Sequence, residues 1–195
     1  MDGLHILRTL YSHLFVGGPS LERAGTSRLA AARLGAGFTP HIEVASPEFA
    51  QGQRIPIAHS ADGSAVSPAL CWGAPPEATR SMVLLCEDPD AAFLLPFVHW
   101  LLYDLPPDLK FVPAALHGGA PDELGGGHVG RNSRLKSGWA GCAPPKGDNE
   151  HHYHFQLFAL DRVLAIEPGA GRSRVLEGTG CHVIGFGELV GTYQR

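Results

Sequence analysis

The sequence predicts a mainly β protein, with antiparallel sheets packed as a sandwich and only a few small helices. Three observations carry that expectation. From Phe38 onward, short apolar runs rich in Val, Leu and aromatic residues alternate with Pro/Gly turns. The chain holds 25 Gly and 16 Pro among 195 residues, without the triplet period of collagen. Helical spacing is confined to the N-terminal stretch, where Leu4, Leu7, Tyr11 and Leu14 recur before Gly17-Gly18-Pro19 ends the run.

The elements follow in order. Residues 1–37 read as an N-terminal helical extension, and residues 38–195 as the main domain. Within the extension, residues 20–34 form a second helical candidate rich in Ala, Leu and Arg, with Gly35 placed as its C-terminal cap. The extension reads equally as a docking or dimerisation arm and as a loosely attached tail. In the main domain, residues 80–87, 97–105, 152–161 and 181–190 read as strands. Residues 105–151 are mostly loop, a length that in a compact domain usually serves function.

Composition limits the function classes. Hydrophobic residues at 44% and charged residues at 17% exclude a disordered chain. At 195 residues, one core buries enough surface to fold without disulfides or structural metal. The net charge of −4 and the absence of a Lys/Arg run argue against nucleic acid as a partner. Cys71, Cys86, Cys142 and Cys181 fit no zinc-ligand spacing, so no metal and no cofactor is expected. No apolar run reaches the roughly 20 residues that span a bilayer, so no stable membrane insertion is expected. The opening Met-Asp-Gly lacks a basic leader, and the expected location is the cytoplasm, with free thiols.

Three clusters could carry chemistry. Glu87-Asp88-Pro89-Asp90 ends an apolar strand. In an extended segment Asp88 and Asp90 would point the same way, able to share a proton, bind a cation or accept from a His. In Phe97-Val98-His99-Trp100, alternation puts Phe97, His99, Leu101 and Tyr103 on one face. His99 is then a polar group in an apolar strand and needs partners for both nitrogens. The third cluster runs from Pro144-Pro145-Lys146-Gly147 through Asp148-Asn149-Glu150 into His151-His152-Tyr153-His154-Phe155. Alternation places His151 and Tyr153 on one face, where they could donate to an oxyanion. His152 and His154 fall on the other, where they could bind a metal if further ligands joined them. Nucleophilic catalysis finds no Gly-x-Ser-x-Gly elbow, and no phosphate-loop or dinucleotide fingerprint is present. Cys142 is a thiol without an activating neighbour in sequence.

Taken together, these segments resemble the phosphatidylethanolamine-binding protein family, and in particular its bacterial branch described as Raf-kinase-inhibitor-like. The matching segments are Asp88-Pro89-Asp90-Ala91, Phe97-Val98-His99-Trp100-Leu101-Leu102-Tyr103, Gly138-Trp139-Ala140-Gly141-Cys142-Ala143-Pro144-Pro145 and His151-His152-Tyr153-His154-Phe155. Ser46-Pro47-Glu48-Phe49, Val66-Ser67-Pro68-Ala69-Leu70-Cys71-Trp72 and Asn132-Ser133 support them, in the family's order.

The resemblance implies a β-sandwich with a few small peripheral helices. It also implies a shallow pocket for phosphate-like or carboxylate anions, built here from Asp88, Asp90, His99, His151 and Tyr153. It implies a non-catalytic binding protein and a homodimer. By analogy of fold it extends to a protein partner such as a kinase. A hydrolase using Asp88, Asp90, His99 and His151, with or without a metal, is the alternative. Ala92 stands where the family usually has Pro, and Ala92-Phe93-Leu94-Leu95-Pro96 is unusually apolar for a pocket rim. Residues 169–180 are short and glycine-rich where a fuller helix is expected.

Overall fold

The computed structural model describes residues 23–116 and 124–195. Eight strands form two antiparallel sheets. The larger has the order β6-β4-β3-β7-β8, with β3 at Ser81–Asp88, β4 at Phe97–Leu105, β6 at His128–Val129, β7 at His151–Leu160 and β8 at Val183–Tyr193. The smaller has the order β1-β2-β5, with β1 at Val44–Ala45, β2 at Leu70–Trp72 and β5 at Phe111–Val112. The four long strands lie where the sequence placed them. The three short strands of the second sheet are too brief to leave a period.

Two apolar layers sandwich the large sheet. On one face Met82, Leu84, Cys86, Trp100, Leu102, Tyr153, Phe155 and Leu157 meet Val44, Leu70, Trp72 and Val112 of the small sheet. On the other, Val83, Leu85, Leu101, Tyr103, Phe158 and Leu160 meet two short helices. These are α1 at Ala30–Leu34 and α2 at Arg172–Thr179. Because β3 is covered on both faces, it reads as the unbroken run Met82-Val83-Leu84-Leu85-Cys86 instead of an alternating one.

The helical reading of residues 20–34 shortens to α1. Gly25 takes a φ of 70° and Leu29 an extended ψ of 153°, which confine residues 26–28 to a single 3-10 turn. Gly35 caps α1 in the left-handed region at φ 63°, as its position predicts. Ala30 and Ala36 are fully buried, so residues 23–37 pack onto the domain's own sheet. The Leu4–Leu14 spacing lies outside the described residues. In the glycine-rich stretch 169–180, α2 forms two turns and buries Arg172, Val175 and Leu176.

Gly187 shows why β8 carries so many glycines. A Cβ there would sit 2.0 Å from the Ile42 carbonyl oxygen. The segment preceding β1 crosses β8 at this point, held by Ile42 N donating to Phe186 O at 2.7 Å and Phe186 N donating to Pro40 O at 2.9 Å.

Candidate functional site

The site forms where the ends of β3, β4 and β7 meet. Asp88 is the last residue of β3. Its side chain faces the same way as Leu84 and Cys86, because side chains two apart share a face of a strand. Asp88 Oδ1 accepts from Asp90 N at 2.8 Å and Ala91 N at 3.1 Å, folding the Asp-Pro-Asp segment into a side-chain-capped turn. Asp88 Oδ2 lies 2.8 Å from His151 Nδ1 and 3.9 Å from His99 Nε2.

His99 reaches the site through a bulge. Glu87 pairs with Val98 and Cys86 pairs with Trp100, so β4 has one more residue than β3 at this point. Simple alternation would put His99 with Leu101 and Tyr103. Instead Val98, Leu101 and Tyr103 belong to the helix-side core, and Trp100 and Leu102 to the inter-sheet core. His99 is packed against Phe97, Trp139 and Tyr153, with ring centroids at 4.7, 5.7 and 4.9 Å. Its Nδ1 lies 2.5 Å from Ala140 O. A carbonyl only accepts, so Nδ1 carries the hydrogen, and in the neutral ring Nε2 is a bare acceptor facing Asp88.

His151 and Tyr153 share one face of β7, as alternation predicts. His151 stands between two carboxylates, Asp88 on Nδ1 and Asp148 Oδ2 at 3.3 Å from Nε2. Asp148 is bound in turn by Arg23, whose Nη2 donates to Oδ1 at 2.7 Å. Tyr153 Oη is buried against the Cys142 thiol and has no nitrogen or oxygen partner. The structure thus brings Asp88, His99, His151 and Tyr153 together. Asp90 does not join them: its Oδ2 accepts from His152 N at 2.9 Å and lies 2.8 Å from His152 Nδ1, on the exposed side of β7.

The two histidines differ in charge state. Burial depresses His99 from 6.5 to about 4, and the nearby Asp88 offsets this only in part. His99 is therefore neutral at pH 7. Burial also pulls His151 down, but the hydrogen bond and charge of Asp88, with Asp148 behind them, outweigh it and the net shift is upward. Burial drives the Tyr153 hydroxyl and the Cys142 thiol upward, so both stay protonated. Asp148 is lowered: its partial burial is outweighed by hydrogen bonds from Asn149 N and His151 and by the Arg23 charge.

The site therefore holds two unlike groups, a His151 whose charged form is favoured and a protonated Tyr153 hydroxyl with no nitrogen or oxygen partner. Donors of these two kinds suit an oxyanion. Among the described residues, no group of three or more His, Cys, Asp or Glu side chains is arranged to hold a metal ion. His154 on the other face of β7 instead engages Glu188, at 3.0 Å. Three contributors escaped the sequence reading: Asp148, the Ala140 carbonyl and Arg23. Asp148 stands three residues before His151 in the Pro/Gly loop, a visible cue. Arg23 lies 125 residues away, and no local signal marks it.

Comparison with known proteins bears on this geometry. Residues 45–194 match the family model described as phosphatidylethanolamine-binding protein. The chain belongs to the phosphatidylethanolamine-binding protein family. It is 40% identical over 146 residues to a UPF0098 protein of Methanothermobacter thermautotrophicus, covering 73% of this chain and 91% of that one. Among solved structures it is similar to the family homologue CT736 of Chlamydia trachomatis, with TM-score 0.71, 30% identity and coverage of 80% and 99% of the two chains. It is also similar to YbcL of E. coli, described as a member of the mammalian family, with TM-score 0.72, 27% identity and coverage of 79% and 98%. Membership in this family supports a binding protein in preference to a catalyst. The matched span begins after Arg23, so the Arg23–Asp148 contact joins a residue outside the matched region of this family member to one inside it. Among the described residues, no helix is long and apolar enough to cross a membrane.

Proposed function

We propose that the protein is a non-catalytic binding protein whose pocket at Asp88, His99, His151 and Tyr153 takes small phosphate-like or carboxylate anions, phospholipid head groups included. The observation that carries this reading is the Tyr153 hydroxyl, buried with only the weak Cys142 thiol against it, beside a His151 whose charged form is favoured. A buried hydroxyl left unpaired costs about 1–3 kcal/mol, which an accepting ligand oxygen recovers. Asp88 repels a bare anion, and His151 on its Oδ2, whose charged form is favoured, offsets that repulsion. Asp90, on the exposed side with His152, is the carboxylate this reading leaves for an ammonium such as that of ethanolamine.

The homodimer and a regulated protein partner such as a kinase belong to the same proposal, supported by the family resemblance, and the cytoplasmic location belongs to it on the sequence reading alone. Nothing favours the hydrolase reading. The one thiol at the site is held protonated by burial, the opposite of what a nucleophile needs.

The test is a titration of the histidine ring signals by NMR with inorganic phosphate, phosphoethanolamine and acetate. Saturable shifts at His99 and His151, lost in Asp88→Ala and His99→Ala, are expected. A preference for phosphoethanolamine over phosphate would point to a head group, and equal affinity to the free anion. Unmoved signals at millimolar ligand would refute the reading.

A further inference from the structure

The Asp148 carboxylate occupies the position that the anion reading assigns to a ligand. One oxygen faces His151 Nε2 at 3.3 Å, and the other accepts from Arg23 Nη2 at 2.7 Å. The His151 ring has only two nitrogens, and Nδ1 is tied to Asp88. Nε2 is therefore the one donor His151 can offer to anything that enters, and Asp148 is already on it.

The two carboxylates beside His151 are not equally able to leave. The Asp88 side chain is 4% exposed and also caps Asp90 N and Ala91 N. The Asp148 side chain is 26% exposed and lies in a turn, with Gly147 at φ 81°. Its remaining protein contact is Asn149 N, donating to Oδ1 at 2.8 Å. Rotating Asp148 into water breaks its contacts to Arg23 and His151, which an entering anion takes up, and one local hydrogen bond that it does not, whereas moving Asp88 would undo a buried turn.

Arg23 is equally well placed. Its side chain is 36% exposed, and the backbone that carries it is anchored by Gly25 N donating to Pro89 O at 3.2 Å. The backbone that carries the guanidinium thus stays beside the site when Asp148 swings away. A planar fork of N–H donors suits a phosphate or carboxylate as well as it suits Asp148.

We propose that Asp148 is a built-in competitor for the anion pocket and that Arg23 is a ligand-binding residue. The entering oxyanion displaces the Asp148 carboxylate and takes over both His151 Nε2 and the Arg23 guanidinium. This deepens the anion-binding reading and rests on it. It assigns part of the site to a residue outside the family-matched span.

The experiment is a titration of the full chain with inorganic phosphate, read by the His151 ring signals, for the wild type, Asp148→Asn and Arg23→Gln. Asn keeps the side-chain oxygen that meets Asn149 N but removes the charge that competes. Asp148→Asn is expected to bind phosphate roughly tenfold more tightly, and Arg23→Gln roughly fivefold or more weakly, as loss of a charge-assisted contact implies. A merely structural role for Asp148 predicts the opposite sign, weaker binding in Asp148→Asn. Wild-type binding that Asp148→Asn leaves unchanged or weakens overturns this proposal and leaves the anion pocket standing. Wild-type binding that Arg23→Gln leaves unchanged overturns the assignment of Arg23. Absence of binding in all three chains overturns this proposal and the anion reading together.

Discussion

Glu87 and Asp88 are consecutive residues at the end of β3 and point to opposite faces of the large sheet. Asp88 meets His151 at 2.8 Å on the face that Leu84 and Cys86 share. Glu87 meets Arg172 at 2.5 Å on the helix side, fully buried. The same Glu87 accepts from Ala30 N and from Gln156 Nε2, each at 2.8 Å. Gln156 Oε1 accepts from Ala31 N at 2.8 Å, and Arg172 Nη2 donates to Arg28 O at 2.8 Å. One strand end thus holds His151 with one carboxylate and fastens the segment that carries Arg23 with the other.

Removing the Glu87 charge should release that segment. Glu87→Leu leaves the Arg172 guanidinium buried and unpaired, a change that costs about 3–5 kcal/mol. Glu87→Leu combined with Arg172→Leu should recover a large part of the loss. Urea unfolding of the two variants checks this. Hydrogen exchange at Ala30 and Ala31 N–H should rise in the single variant while β7 amides stay protected. A single variant no less stable than the double one would contradict the assignment.

His99 should make the protein sensitive to mild acid. Its folded value of about 4 lies below the unfolded 6.5, so between those limits the unfolded chain binds more protons. This contribution is intact above pH 6.5 and is lost as pH falls toward 4. By pH 5 the loss is about 2 kcal/mol. His151 acts in the other direction: its value is raised, so its contribution is complete below 6.5 and fades as pH rises through the folded value. Denaturant midpoints measured from pH 7 down to pH 5 should fall for the wild type and flatten for His99→Gln.

Asp88→Asn isolates what sets the His151 charge. With the carboxylate gone, burial is the largest remaining influence, and it favours the neutral ring. The His151 value, read from its ring signals against pH, should drop from above the ordinary histidine value. An unchanged value would assign the upward shift to Asp148 instead of Asp88.

Gly187→Ala should disrupt the crossing before β1. The added methyl meets the Ile42 carbonyl oxygen at 2.0 Å, a backbone atom that cannot rotate aside. A loss at or above the usual 1–3 kcal/mol of overpacking is expected. Gly147→Ala, with open space around its Cβ but φ 81°, serves as the comparison for backbone strain alone.

Much of the architecture was legible because it is local. The run 82–86 announces a strand buried on both faces, and the Gly/Pro turns bound it. The alternation in β7 put His151 and Tyr153 together without error, because that strand pairs with β8 without a register shift from His151 to Ala159. The same rule failed for His99. A bulge is a mismatch between two strands, and no single strand's sequence displays it. Asp90 was grouped with Asp88 on the assumption of an extended segment. Asp88 instead caps the turn itself and sends Asp90 out to His152.

By itself, the amino-acid sequence determined the class of the fold, the four long strands, the capping glycine of α1 and the residue types that can receive an oxyanion. Each of these follows from spacing of a few residues along the chain. Only the tertiary structure decided which groups share an environment. It made His99 neutral and favoured the charged form of His151, although both are histidines beside the same Asp88, because one is dried by Phe97, Trp139 and Tyr153 and the other is paired with two carboxylates. It also brought Arg23 to Asp148 across 125 residues of chain. Desolvation and Coulomb attraction depend on distance in space, and residue spacing carries no record of either.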